Sequence, residues 1–142
     1  MTVADYEKGL ASLLAWREER SNGVNGMLAV LYVIRNRAKA GWGGGSWSKI
    51  MEQHNQFSSM TVLGDGQTVA YPDPRDPLYL QILQLVDTVY DDSRADNLTG
   101  GALYYADLGS PAYHKGGWFD VNIAQSKDHP RVATIGTTTY FK

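Results

Sequence analysis

The hydrophobic positions in the first twenty residues recur at helical spacing. One apolar face is formed by Val3, Tyr6, Leu10, Leu13 and Leu14. This period predicts an amphipathic helix, with Thr2 or Asp5 available to cap its start. We expect it to end near Ser21-Asn22-Gly23, where turn-forming residues cluster.

A second predicted helix runs from about Val24 to Ala40 and is apolar nearly all round in its first half. Such a helix is typical of the centre of a domain. Ser46 is placed to cap a short helix that extends to about Gln53. Asp76-Pro77 opens a further helix, which ends near Asp91, because proline is favoured at the first helical position.

The pattern changes beyond Gly100 to short aromatic and β-branched runs separated by Gly, Pro and Asp. These runs predict strands at 102–105, 118–121 and 133–141. Residues 55–76 are polar and turn-rich, which predicts a long loop. Helices followed by strands indicate an α+β fold. A chain of 142 residues is expected to form one domain, 1–142.

Charge and residue usage exclude several classes of function. The 13 basic and 15 acidic residues give a net charge of −2, which argues against a nucleic-acid partner. The chain has no cysteine, so thiolate metal sites and cysteine nucleophiles are excluded. His54, His114 and His129 have no metal-ligand spacing and no HExxH motif is present. We therefore expect neither a metal nor another cofactor.

Two further expectations concern location. The longest apolar run, Met27 to Ile34, is far shorter than the roughly 20 residues that span a bilayer, so we expect no membrane insertion. The first residues lack the basic and apolar regions of a signal peptide.

Glu18 is the ionisable residue that best fits catalysis. Leu10, Leu14 and Glu18 are spaced i, i+4, i+8, so Glu18 extends the apolar face at the end of the first helix. Partial burial and the helix dipole there are expected to raise its pKa, as a general acid for glycosidic bonds requires. The neighbouring Glu19 is expected to be solvated. The alternative is a surface Glu18 paired with Arg17 or Arg20.

Two further segments carry side chains suited to a sugar ligand. Gln56-Phe57-Ser58 opens the long loop with two hydrogen-bonding groups and an aromatic ring, although capping and core packing explain it equally well. In Tyr104-Tyr105, strand alternation places one ring in the core and the other outward. An outward tyrosine beside a cleft would suit carbohydrate binding.

Several segments together resemble the SleB-type cell-wall hydrolases, a family that includes spore-cortex-lytic enzymes and related phage and bacterial proteins. Glu18, Gly26 and Asn36-Arg37 fit the spacing of the opening motif without a gap. The segments 53–58, 99–105 and 135–141 match later motifs in the same order. Two positions depart from the pattern, since Asn22 replaces a second acidic residue and Thr138 replaces a closing histidine.

The resemblance implies a lysozyme-like helical lobe with a small antiparallel β-sheet in the C-terminal part, acting on peptidoglycan glycan strands. It implies cleavage between N-acetylmuramic acid and N-acetylglucosamine, as a lytic transglycosylase or a muramidase, with Glu18 as the catalytic residue. The substrate-binding residues that we predict are Asn36, Gln56, Phe57, Ser58, Tyr104 and Tyr105. Protein partners are unknown.

Two questions stay open at this point, the presence of a second carboxylate and the choice among alternative functions. A second carboxylate would favour simple hydrolysis, and Asp65, Asp73, Asp91 and Asp107 are all available. A non-catalytic glycan-binding module on the same scaffold and a cell-wall amidase are the alternative functions. A phage-type endolysin, synthesised in the cytoplasm and acting on the wall after release or from the virion, is the expected setting.

Overall fold

The computed structural model describes residues 1–53, 57–61 and 66–142, with Ser58, Thr61 and Thr68 described by their backbone alone. The α-helices of this part are α1 (Val3–Glu19), α2 (Gly23–Lys39), α3 (Trp47–Glu52), α4 (Ser58–Thr61) and α5 (Pro77–Tyr90). The strands are β1 (Tyr104–Ala106), β2 (Arg131–Ile135) and β3 (Thr138–Phe141). The predicted α+β class is therefore confirmed.

Helix α1 begins with a capping box. The Thr2 hydroxyl accepts from the Asp5 backbone N–H at 3.0 Å, and the Asp5 carboxylate accepts from the Thr2 N–H at 3.1 Å. This reciprocal pair satisfies backbone donors that the first turn leaves free. The helix ends at Glu19, and a 3₁₀ turn over Arg20–Asn22 leads directly into α2. The predicted helix end near Ser21 is confirmed.

Helix α2 is the centre of the molecule, as its apolar first half predicted. Its residues from Gly26 to Arg35 are all buried. On one side α2 packs against α1 and α5. On the other side Ala29 and Val33 pack against Ala102 and Tyr140, which come from the sheet region. Helix α2 therefore lies between the other helices and the sheet, and it contributes to the core on both sides.

The described strands form a three-stranded antiparallel sheet in the order β1-β3-β2. Tyr105 lies opposite Tyr140, and Thr134 lies opposite Thr139. A tight turn at Gly136 and Thr137 joins β2 to β3 and points back towards the α1–α2 junction, where Thr137 contacts Asn22.

The strand predicted at 118–121 is wrong. The segment is helical there and continues as a π-helical turn over Asp120–Ala124. The Asp120 carboxylate accepts from the Tyr113 hydroxyl, the Gly116 N–H and the Gln125 amide at 2.7–2.9 Å. These contacts wrap the chain around one carboxylate, and this local arrangement prevails over the strand propensity of the aromatic residues.

Within residues 55–76, the described parts contain α4 and a 3₁₀ turn at Gly66–Val69 rather than loop alone. Arg17 fastens this region to α1, since its guanidinium donates to the carbonyls of Ala70 at 2.8 Å and Ser59 at 3.0 Å. Across the described residues, no helix is both long and apolar enough to cross a bilayer.

Candidate active site

A cleft of about 150 Å³ lies where the α1–α2 junction, the end of β1 and the β2–β3 turn meet. Most of the described residues that line it are polar or acidic, and none of these is basic. The lining residues are Glu18, Glu19, Ser21, Asn22, Tyr105, Ala106, Asp107, Thr137 and Thr138. The cleft therefore presents carboxylates, hydroxyls and one aromatic ring to a ligand.

Both glutamates at the end of α1 line this cleft. We expected Glu19 to be the more exposed of the two, but it is the more buried. Glu18 is partly exposed, whereas Glu19 is only 2% exposed. The prediction that Glu19 is solvated is wrong. Its backbone leaves the helical conformation (φ −136°, ψ 11°), and the sheet covers this end of α1. The helix period alone carries no information about that covering layer.

Burial is the dominant influence on the Glu19 carboxyl group and raises its pKa. Hydrogen bonding from Thr138 and Asn22 opposes this shift without cancelling it, and the negative charge of Asp107 adds to the rise. The Asn22 amide donates to Glu19 Oε2 at 2.6 Å. The cleft thus holds one buried carboxyl group that retains its proton to a higher pH than an exposed glutamate does.

Glu19→Gln is expected to stabilise the fold increasingly as pH rises above 4.5, the ordinary glutamate value. A raised folded-state pKa means that ionisation costs more in the folded than in the unfolded chain, so wild-type stability falls as pH climbs through the shifted value. The glutamine has no proton to lose and still offers an oxygen to Asn22. Thermal unfolding from pH 4 to pH 8 measures the difference, and the exposed Glu52→Gln is the control. A variant advantage that is independent of pH would contradict the raised pKa.

Asn22 joins the helices to the sheet beneath the cleft. Its amide nitrogen donates to Glu19 Oε2 and also to Thr138 Oγ1 at 3.2 Å, while its oxygen accepts from the Thr137 N–H at 3.2 Å. The two departures from the resembled pattern, Asn22 and Thr138, are therefore in direct contact. One neutral hydrogen-bonded pair stands where the pattern has an acid and a histidine.

Tyr105 forms the aromatic part of the lining. Its ring packs against Tyr140, with centroids 5.7 Å apart, and against Phe57 at 6.4 Å. Burial raises the pKa of Tyr105 well above 10, and the negative charge of Glu18 raises it further. The Tyr105 hydroxyl therefore keeps its proton and can donate a hydrogen bond near Glu18.

Tyr104 points to the other face of the strand, as alternation requires. Its ring packs edge-on against Trp42 at 5.6 Å and against His129 at 4.9 Å, and it does not line the cleft. Of the two tyrosines, the structure brings only Tyr105 together with Glu18.

The Gln56-Phe57-Ser58 segment lies only partly within the described residues. Gln56 and the Ser58 side chain lie outside them. Phe57 is completely buried, so its ring offers no face to a sugar, which corrects the prediction that it binds substrate. Its ring packs against Tyr105, and the Arg37 guanidinium lies 5.1 Å from the centroid of the Phe57 ring. Phe57 therefore packs against a residue that lines the cleft.

Asn36 also takes a structural place rather than the predicted substrate-binding one. Its amide donates to the Ala102 carbonyl at 3.0 Å and to Asp96 at 3.2 Å, and it does not line the cleft. Asp96 in turn accepts from the backbone N–H groups of Leu98, Thr99 and Gly101. Asn36 thus anchors the turn that leads into β1.

Three residues that line the cleft, Ser21, Asp107 and Thr137, were not identified as site residues from the sequence. Thr137 carries no periodic or motif signal, and Ser21 reads as an ordinary turn residue. Asp107 was one of four equivalent carboxylates. Its position just after Tyr105 at the end of a strand was the one available signal, because strand ends gather at the rim of a sheet. Among the described residues, no group of three metal-ligating side chains occurs.

Comparison with known proteins gives one match. A family model described as Cell Wall Hydrolase matches residues 21–141. No curated protein and no solved structure matches the chain significantly. The matched range includes the α2 helix, the sheet and the cleft residues from Ser21 onward, while the two glutamates lie just before it. Because the match covers most of the chain, this protein belongs to the cell wall hydrolase family, whose substrate is peptidoglycan.

Proposed function

We propose that the chain cleaves the glycan strand of peptidoglycan between N-acetylmuramic acid and N-acetylglucosamine, with Glu18 as the general acid. The observation that carries this proposal is the meeting of Glu18, Tyr105 and Asp107 in one polar cleft of a cell wall hydrolase. Carboxylates beside hydroxyl donors and one ring suit a sugar, which has polar edges and an apolar face.

Glu18 fits the role of proton donor better than Glu19 does. A general acid must reach the oxygen that it protonates to within hydrogen-bond distance. Glu18 is partly exposed at the cleft wall, whereas Glu19 is buried and already bonded to Asn22 at 2.6 Å. We assign Glu19 to holding the α1–α2 junction against the sheet and Glu18 to the reaction.

Two routes follow the protonation of the glycosidic oxygen. In the transglycosylase route, the Glu18 carboxylate then takes the proton of the muramic C6 hydroxyl while that oxygen bonds to C1 and closes a 1,6-anhydro ring. In the muramidase route, water attacks C1 instead and leaves a reducing muramic end. Both routes use Glu18 as the acid, so the proposal holds for either product.

Dye-labelled sacculi test this function against its alternatives. Glycan cleavage releases soluble dyed fragments without new free amino groups. An amidase or peptidase would release fragments together with new amino groups. A glycan-binding module would sediment with the sacculi and release nothing. Only the first result supports the proposal.

EDTA is expected to leave the lytic rate unchanged, because proton transfer by a carboxylic acid needs no metal. A zinc-dependent amidase would lose activity with the chelator and regain it on adding zinc. The measurement is the rate of dye release before and after chelation. Loss that zinc restores would contradict the single-acid mechanism and would make the histidines candidate ligands.

We also propose a bacteriolytic, endolysin-type role in which the protein reaches the wall after release from the cell that makes it. The support is the motif resemblance to a family with phage members. Purified protein added to cells whose outer barrier has been permeabilised should lower their turbidity, and Glu18→Gln protein should not. Dissolution of isolated sacculi without lysis of such cells would contradict this role.

A further inference from the structure

We propose that Asp107 is the second catalytic carboxylate of the cleft and that it activates water, so the product is a reducing muramic end rather than an anhydro one. This inference rests on the proposed function and specifies its chemistry. Glu18 enters from the end of α1, whereas Asp107 enters from the chain that follows β1. The two carboxylates thus come from different walls of one site.

The cleft has a small volume, so the groups that line it lie close to one another. At about 150 Å³ it is well below the roughly 300 Å³ at which sites for drug-sized ligands begin. We infer that it holds the sugar at the bond to be cut. Glu18 and Asp107 both line this volume, as the paired carboxylates of glycosidases do.

The sequence left four aspartates as candidates for the second carboxylate, and of those that the structure describes only Asp107 lines the cleft. Asp73 lies in the turn before α5 beside Arg75, and Asp91 caps the end of α5, where it accepts from the Ser93 N–H. Neither lines the cleft. The fourth, Asp65, lies outside the described residues. Among the described aspartates, Asp107 is thus the one that shares the cleft with Glu18.

One local hydrogen bond holds the Asp107 side chain, and a second holds its backbone. Its Oδ1 accepts from the Gly109 N–H at 3.1 Å, and its carbonyl accepts from the Ser110 N–H at 3.2 Å. A carboxylate held in this way needs little reorganisation when it acts as a base. Its negative charge also raises the pKa of the buried Glu19, which lines the same cleft.

The proposed step is hydrolysis of the glycosidic bond. Glu18 gives its proton to the glycosidic oxygen while the bond from that oxygen to muramic C1 breaks. The oxygen of a water molecule bonds to C1, and the proton that it loses goes to Asp107. Exchange with solvent returns the proton to Glu18 and removes it from Asp107, so no other reactant is consumed.

Product ends after digestion of sacculi test the proposal, because borohydride reduces hydrolytic ends and leaves anhydro ends unchanged. We expect reducible muramic ends from the wild type and at least a ~100-fold lower rate of their formation from Asp107→Asn. Asp73→Asn is the matched control, since Asp73 accepts from the N–H groups two and three residues ahead in the same way, at 2.8 and 2.9 Å. It should keep the wild-type rate.

A second variant separates a chemical role from a structural one. Azide should restore turnover to Asp107→Ala, with a glycosyl azide as product, because a small anion can replace attack by activated water. Wild-type ends that are only anhydro, or a normal rate for Asp107→Asn, would overturn the role of Asp107 and leave the Glu18 proposal standing. Absence of any new glycan end, with Glu18→Gln indistinguishable from wild type, would overturn both.

Discussion

Glu18→Gln is expected to lower the rate of wall lysis by at least ~100-fold, the lower range of general acid catalysis. The amide keeps the shape of the side chain and removes the proton that the glycosidic oxygen needs. Glu18 is partly exposed at the end of α1, so the melting temperature should change little. Release of soluble fragments from sacculi, measured at equal protein concentration, gives the rate.

Glu19→Gln is the matched control for this prediction, since it makes the same chemical change one residue along the chain. It should retain most of the lytic activity, because the buried Glu19 acts through Asn22 and not on the sugar. Near-normal lysis by Glu18→Gln together with loss by Glu19→Gln would reverse the two assignments. A collapse in the stability of Glu18→Gln would indicate a structural role instead.

Gly136→Ala is expected to cause the largest loss of stability that we predict, roughly 2–3 kcal/mol. Gly136 has φ +58°, and a left-handed residue with a Cβ costs about 1–2 kcal/mol. The added Cβ would lie 2.1 Å from Asn22 Oδ1, so the turn must move and the Asn22 to Thr137 bond is lost. Loss of this hydrogen bond, which is exposed to solvent, costs a further ~1 kcal/mol.

Gly44→Ala separates the two contributions. Gly44 has a similar φ of +67°, and no described atom lies within 4 Å of the position of an added Cβ. It should lose only the conformational part, about 1 kcal/mol. Chemical denaturation of both variants measures the difference. Equal losses would show that the contact between the β2–β3 turn and Asn22 contributes nothing to the fold.

The helices were predictable because their signals are local. Thr2 and Asp5 cap α1, Asp76-Pro77 starts α5, and the apolar run from Met27 marks α2 as central. The segment around Trp118 was not predictable in the same way. Its aromatic residues have strand propensity, but the segment is helical, and hydrogen bonds from residues on both sides converge on Asp120.

The site was predictable where one helix determines it and not where two elements meet. The period of α1 placed Glu18 on an interior face, and the structure puts it in a cleft. Glu19 is buried and accepts from Asn22, which also donates to Thr137 and Thr138 more than a hundred residues away, so no local pattern carries this arrangement. Phe57 was selected for its chemistry and Asn36 from the motif resemblance. The structure uses Phe57 for packing and Asn36 for anchoring the turn before β1.

We propose that this cell wall hydrolase cuts glycan and not peptide. Mass spectrometry of the fragments released from purified sacculi tests it most directly. We expect short saccharide units that end in muramic acid and keep their stem peptides, and we expect Glu18→Gln protein to release none of them. Free stem peptides accompanied by intact glycan strands would contradict it.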